Sequence, residues 1–221
     1  MIAPSSIQAV IFDFDGVILE SADIKTEAFR ELFSFSPRHQ KRIVDYHVRH
    51  AGIDRFRKFE HIYRTIIKAP LCKEQKRRLG AKFSRIVYQK VLECPFVPGV
   101  LQFLKRNHRR MQLFVISGTP QNELKLIIKK RELDRFFKRV YGSPRTKTES
   151  TINVLNRFRL IPSQTRFVGD ALADYDAAKK YHIPFIGRVA RGKRNPFPPH
   201  TLRIRDLRGL APLLGRHGKR Q

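Results

Sequence analysis

Apolar and polar positions follow two different rhythms along the chain. Residues 7–14, IQAVIFDF, are β-branched and apolar almost throughout, the pattern of a central strand. Residues 22–94 carry helical spacing instead. Ile24, Ala28 and Leu32 form one row, Phe56, Phe59, Ile62, Tyr63 and Ile66 a second, and Leu79, Phe83, Ile86 and Val87 a third. These rows predict core. Gly52 predicts a stop between the second and third helices, and Asp54 a cap for the third. Pro70 and Pro95 punctuate the rest of this helical stretch.

From residue 96 the rhythm alternates. A helix around 99–108 leads to the strand MQLFVIS, and a helix after Pro120 leads to RVYGS. A helix after Thr148 leads to TRFVGD, and one around 172–181 leads to PFIGR. This alternation predicts an α/β protein with a mostly parallel sheet covered by helices. The first strand and the later α/β run frame a helical insertion. In open parallel sheets ligands gather at the carboxyl ends of the strands.

Composition narrows the class. The chain has 221 residues and 41% hydrophobic content, enough for a substantial core. No apolar run approaches the ~20 residues of a membrane helix. The start, MIAPSSIQAV, lacks the basic and long apolar regions of a signal peptide, so cytoplasmic residence is expected. Cys72 and Cys94 form no CxxC pair, which argues against a disulfide framework or a thiolate zinc site. The formal net charge of +27 attracts anions, whether phosphorylated metabolites, nucleic acid or acidic membranes. The clusters KEQKRR, KRNHRR, RGKRN and GRHGKR read as solvated faces, with nucleic-acid binding the minority reading.

Candidate chemistry falls on four segments. Asp13 and Asp15 stand two apart at a strand end, so both carboxylates can share a face, and Gly16 permits a tight turn beyond them. In FVISGTP, Ser117 ends a strand, and Thr119 followed by Pro120 suits an N-cap and first helical position. A hydroxyl and free N–H groups there make an anion site. In GSPRTKTES, Lys147 precedes a helix as a point charge for phosphate, with Thr148 as its expected cap and Arg145 as the local rival. In RFVGDALADYDAA, Asp170 is followed one turn later by Asp174, with Asp176 less suitably spaced. Carboxylates without His or Cys partners suit Mg2+. Together these are the parts of a phosphoryl-transfer site.

The chain resembles the haloacid dehalogenase superfamily, in the branch with a helical cap inserted after the first strand. DFDGV is similar to its first motif, VISGT to its second, Lys147 in GSPRTKTE to its third and GDALAD to its fourth. The resemblance implies a three-layer Rossmann-like core from residues 1–19 and 96–221, and an all-helical cap domain over 20–95. It implies a phosphatase acting on a small phosphorylated substrate such as a sugar phosphate or phosphoglycolate. Asp13 would be the nucleophile, forming an aspartyl-phosphate, and Asp15 the general acid and base. Mg2+ would bind Asp13, the carbonyl of Asp15, Asp170 and Asp174. Ser117 and the Gly118 N–H would hold phosphoryl oxygens, and Lys147 would offset their charge. Sugar phosphomutases of this branch share both acids, but typically carry His where this chain has Lys25, which favours hydrolysis.

Glu20, Lys25 and Arg55 are the candidates for reading the leaving group, with GIDRF as a substrate loop. Lys58 reads more readily as solvated surface. His47 and His50, three apart, read as solvated or packed side chains rather than a metal pair. A monomer without membrane attachment is expected. The alternatives are a mutase, or a basic nucleic-acid-binding or nucleotide-processing protein on the same scaffold.

Overall fold

The computed structural model describes residues 7–214, so the first six residues and the GRHGKR cluster lie outside the described residues. Six parallel strands form one sheet in the order β3-β2-β1-β4-β5-β6. The strands are β1 (Ala9–Phe12), β2 (Gln112–Pro120), β3 (Arg139–Ser143), β4 (Thr165–Gly169), β5 (Phe185–Arg188) and β6 (Arg203–Ile204). The short β6 carries no sequence signal of its own. The protein is an α/β Rossmann-like fold. β1 lies between β2 and β4, with Phe12 paired to both Val115 and Val168. Strand order reverses around β1, so a crevice opens at its carboxyl end.

Helices cover both faces. Val10, Phe12, Val115 and Val168 turn toward one, packed by α5 (Val100–Asn107) and α6 (Gln121–Lys130). Ile11, Phe114, Ile116 and Phe167 turn toward the other, against α7 (Lys147–Phe158) and α8 (Leu172–Lys180). The period-two alternation of one strand thus feeds two apolar layers. The last helix, α9 (Ala211–Leu214), follows β6.

Between β1 and α5 the chain is helical: α1 (Ala22–Leu32), α2 (Pro37–Arg49), α3 (Arg55–His61) with a π-helical continuation (Ile62–Ile67), and α4 (Lys73–Glu93). All three predicted apolar rows point inward. Phe29, Phe33, Phe59 and Phe83 are buried in mutual edge and stacked contacts, and this aromatic core runs unbroken into the apolar layer on the sheet. Gly52 takes φ +77, and Asp54 caps α3 by accepting from the Phe56 and Arg57 N–H groups, both as expected.

Two expected caps move. α7 is capped by Thr146, not Thr148. The capping box needs Glu three residues on, and Thr146 and Glu149 meet that spacing with bonds of 3.1 and 2.8 Å. Lys147 thereby becomes the first helical residue. Thr119 does not cap α6: β2 continues to Pro120, and the Thr119 hydroxyl is spent on Asp15. Of the charge clusters, KEQKRR is balanced on the surface by Glu74 and Glu60. No described helix is long and apolar enough to cross a membrane.

Candidate active site

β1 delivers Asp13 directly into the crevice, its N–H donating to the Val168 carbonyl at 2.9 Å. Asp13 is buried. Its Oδ1 accepts from the Phe14 N–H at 2.6 Å, and its Oδ2 lies 2.7 Å from Lys147 Nζ. Lys147 also reaches Asp174 Oδ1 at 2.6 Å. Burial pushes the Asp13 carboxyl above its ordinary range, with the Lys147 charge pulling the other way. Burial opposes the Lys147 charge, but Asp13 and Asp174 outweigh it and hold the ammonium firmly protonated.

Asp15 has different partners. Its Oδ1 accepts from Ser21 Oγ at 2.7 Å. Its Oδ2 meets Lys25 Nζ in an ion pair, Thr119 Oγ1 at 3.0 Å and Ser117 Oγ at 3.4 Å. Lys25 Nζ also donates to Thr119 Oγ1 at 2.6 Å. Burial pushes Asp15 upward, but the Lys25 charge and these hydrogen bonds win, so the group sits below the ordinary carboxylate range. Two acids two residues apart therefore have opposite tendencies: burial prevails at Asp13 despite Lys147, whereas the Lys25 charge and the hydrogen bonds prevail at Asp15.

Asp170 and Asp174 complete the anionic side. Ligand oxygens of Asp13, Asp170 and Asp174 all lie within 4.8 Å of one another. Burial, then the charge of Asp13, raises both Asp170 and Asp174, the latter to about 7. Three crowded carboxylates share one ammonium, and Asp170 accepts no hydrogen bond within the described residues. Such an oxygen-only, negatively charged cluster fits a hard divalent cation such as Mg2+. Gly16 makes room for it. At φ +74, a methyl group there would come within 2.0 Å of Asp170 Oδ2. Asp15 offers no carboxylate to this cluster. Asp176 and Arg145 are absent from the ion pairs of the site.

Ser117 is buried beside Asp15 and accepts from the Thr119 N–H at 3.1 Å. Gly118 faces the insertion, where a methyl group on it would lie 2.6 Å from the Gly52 carbonyl oxygen. Gly52 in turn abuts Lys147 Nζ. The GIDRF loop therefore rests backbone to backbone on the strand ends. Between them is a cavity of about 980 Å3, whose lining includes Asp13, Asp15, Asp170, Gly118, Lys25 and Lys58.

The insertion's candidates are differently engaged. Glu20 lines the cavity but is held in a two-bond ion pair by Arg188, at 2.6 and 2.9 Å. Arg55 is buried, bonded to Glu123 at 2.7 Å and Ser84 at 2.8 Å, and stacked on Phe83. Lys58 overturns the solvated reading. It is only 2% exposed, because α3 turns it inward against His47 and Phe29. His47 is packed on the Phe29 ring at 4.0 Å and His50 on Tyr46 at 4.1 Å, and neither joins a metal-type cluster among the described residues.

Arg188 and Thr119 join the site without being sequence candidates. Arg188 also donates to the Gly16 carbonyl at 3.1 Å, tying the turn after Asp15 to β5. Its place at the carboxyl end of PFIGR is the available signal. For Thr119 the capping expectation hides the strand-end alternative. The basic segment RGKRN is exposed as expected, with Lys193 paired to Asp23 at 2.6 Å, and Lys193 and Arg194 stand at the rim of the cavity.

A parallel sheet whose order reverses at β1, with a carboxylate cluster at that switch point, is the architecture of an α/β enzyme whose acids could hold a metal ion. Residues 10–188 match the family model for haloacid dehalogenase-like hydrolases, and the chain belongs to that family. It is a hydrolase, and phosphoric-monoester hydrolysis is the activity that family and site together support. It is 24% identical over 185 residues to a phosphorylated carbohydrates phosphatase of Thermotoga maritima, covering 81% of this chain and 83% of that protein. Its fold is similar to that of the HAD-hydrolase YfnB from Bacillus subtilis bound to magnesium, with a TM-score of 0.70, 17% identity, and 95% and 99% of the two chains covered. It is also similar to CbbY from Rhodobacter sphaeroides in complex with xylulose-(1,5)bisphosphate, with a TM-score of 0.73, 15% identity, and 93% and 96% covered.

Proposed function

We propose that this hydrolase is a Mg2+-dependent phosphatase that cleaves a small phosphorylated metabolite, a sugar phosphate or a phosphoglycolate-like ester, through an aspartyl-phosphate on Asp13. The observation that carries this reading is the split between the two acids: Asp13 sits among the metal-type carboxylates and Lys147, while Asp15 sits apart with Lys25 and hydroxyl groups. The first environment is that of a nucleophile beside a metal; the second keeps Asp15 off the carboxylate cluster and ionised in the ligand-free site, ready to take up and pass on a proton once substrate is bound.

Asp13, Asp170 and Asp174, with the Asp15 carbonyl, would hold Mg2+, which when bound neutralises phosphoryl charge. Asp13 Oδ attacks phosphorus as the bond from phosphorus to the ester oxygen breaks, and Asp15, having taken a proton from solvent as the substrate's charge binds beside it, gives that proton to the departing oxygen. Asp15 then takes a proton from the water that cleaves the acyl phosphate. Ser117 and the Gly118 N–H bind phosphoryl oxygens, and Lys147 keeps Asp13 ionised and oriented. The helical insertion acts as a cap that excludes water from the first step, and the contact of Gly52 with Gly118 supports that reading. Lys25 stands where a mutase of the family would carry His, and its ion pair with Asp15 favours hydrolysis.

The test is phosphate release from an aryl phosphate with Mg2+. Asp13→Asn should lower kcat at least ~10³-fold while leaving the melting temperature within a few degrees. Wild-type inactivity across a broad phosphate-ester panel, or an active asparagine variant, would defeat the proposal.

A further inference from the structure

Three buried cations line the cavity, and two of them are already neutralised: Arg55 by Glu123 and Arg188 by Glu20. Lys58 has no carboxylate partner among the described residues. Its ammonium lies 3.2 Å from His47 Nδ1 and 3.3 Å from the His47 carbonyl, and 5.5 Å from the centre of the Phe29 ring. An ammonium has three donors, and the protein occupies two. Burial holds His47 neutral, with a pKa near 2, so it accepts from Lys58 without cancelling its charge. Burial, then the charges of Lys25 and Lys147, brings Lys58 down to about 7, with Asp54 and Asp15 giving only partial relief.

A lysine that merely filled space would be replaced by Met at no electrostatic cost. Instead α2 and α3 hold an uncompensated cation against the cavity wall, beside a donor still to be used. The substrate's transferred phosphoryl group does not meet that need, since Asp13, Lys147 and Ser117 mark its place at the strand ends. We infer that the substrate carries a second oxyanion, a carboxylate or a second phosphate, and that Lys58 is the specificity-determining residue that receives it. This rests on the phosphatase reading above and adds the substrate class. Lys25 and Arg55, the cations that sequence favoured for substrate, are each committed to an acid.

The experiment compares kcat/KM, with Mg2+ at physiological ionic strength, within two matched pairs. One is 2-phosphoglycolate against ethyl phosphate, the other fructose 1,6-bisphosphate against fructose 1-phosphate. Wild type should prefer the doubly anionic member of at least one pair by about tenfold or more, as expected for a charged hydrogen bond. The preferred pair identifies carboxylate or phosphate. In Lys58→Met the ratio should collapse toward one, whereas Lys130→Met, at the exposed end of α6, should keep it. Lys58→Gln gives the same comparison should the methionine variant fail to fold. Hydrolysis without discrimination, or a ratio preserved in the Lys58 variants, overturns the inference alone. No phosphate release from any of the four esters overturns the phosphatase reading and this inference with it.

Discussion

Two buried charge clusters face one another across the cavity, and they are unbalanced in opposite senses. At the ends of β1 and β4, Asp13, Asp170 and Asp174 share a single ammonium, that of Lys147. On the insertion, Lys58 leans on a neutral histidine and has no carboxylate partner among the described residues. The first cluster calls for a cation and the second for an anion. On the proposed reading a phosphate ester bound with Mg2+ supplies both, and the pair of clusters is complementary to one ligand. The construction also differs. The acids are fixed by strand ends and a tight turn, so their geometry is built into the sheet. The Lys58 site is fixed by helix packing around Phe29 and Phe83, in an apolar cluster that continues onto the sheet. Under that reading, chemistry sits at the strand ends and selectivity on the helices.

The largest way to break the comparison is to damage the strand-end cluster alone. In Gly16→Ala, the methyl group would collide with Asp170 Oδ2, and an L-residue would be forced to φ +74. A displaced metal-type carboxylate should cost about 10²-fold in kcat/KM. The backbone strain should cost about 1–2 kcal/mol of stability in denaturant titrations. The Lys58-dependent selectivity ratio should persist in the residual activity. Near wild-type turnover in this variant would show that Asp170 is dispensable.

A smaller effect sharpens the same contrast. Adding Mg2+ to about 100 times its Kd should stabilise the protein by ~2.7 kcal/mol, a rise in Tm of about 5–10 °C for a chain of this size. EDTA should reverse it. Asp170→Asn should abolish most of the shift, while Lys58→Met should leave it intact, because the two clusters answer to ions of opposite sign. Equal loss in both variants would mean that they do not act as separate sites.

Sequence makes the two halves legible to different depths. The strand-end half is readable because polar residues stand out against apolar strands: Asp13, Ser117, Asp170 and Lys147 each interrupt or follow such a run, and β1 to β5 have strong patterns. The insertion's helices are readable too, but their charged residues are not. Helical periodicity says that Phe56, Phe59 and Ile62 face inward, yet Lys58 lies inward beside them through a long stem that can reach a cavity. In a chain with so many basic residues, one buried lysine carries no sequence signature. Pairings across long separations are equally invisible, such as Lys25 with Thr119 or Arg188 with Glu20, because they exist only once β2, β1, β4 and β5 are assembled into one sheet. Thr146 is a different case. Its capping-box spacing to Glu149 is present in the sequence, and the neighbouring Thr148 masks it.

The smallest effect separates the clusters by pH. Lys58 titrates near 7 in the folded protein and near 10.5 when unfolded. Between those values the unfolded chain binds the extra proton, so the Lys58 contribution makes stability rise with pH, and the penalty is complete below the window. The groups facing it are His47 from α2, Lys25 from α1, Lys147 from α7, and Asp54 and Asp15. Lys58→Met should therefore be the more stable protein near neutral pH and lose that advantage toward pH ~10, a change of about 1–2 kcal/mol once relaxation around the buried charge is discounted. His47 acts in a separate window. Neutral when folded down to about 2 and titrating near 6.5 when unfolded, it makes stability fall as pH drops below 6.5, and this limb should survive in Lys58→Met. Urea titrations of both proteins across this range measure the difference directly. A difference that does not change with pH would place the Lys58 ammonium in water and remove the electrostatic basis for setting the insertion against the strand ends.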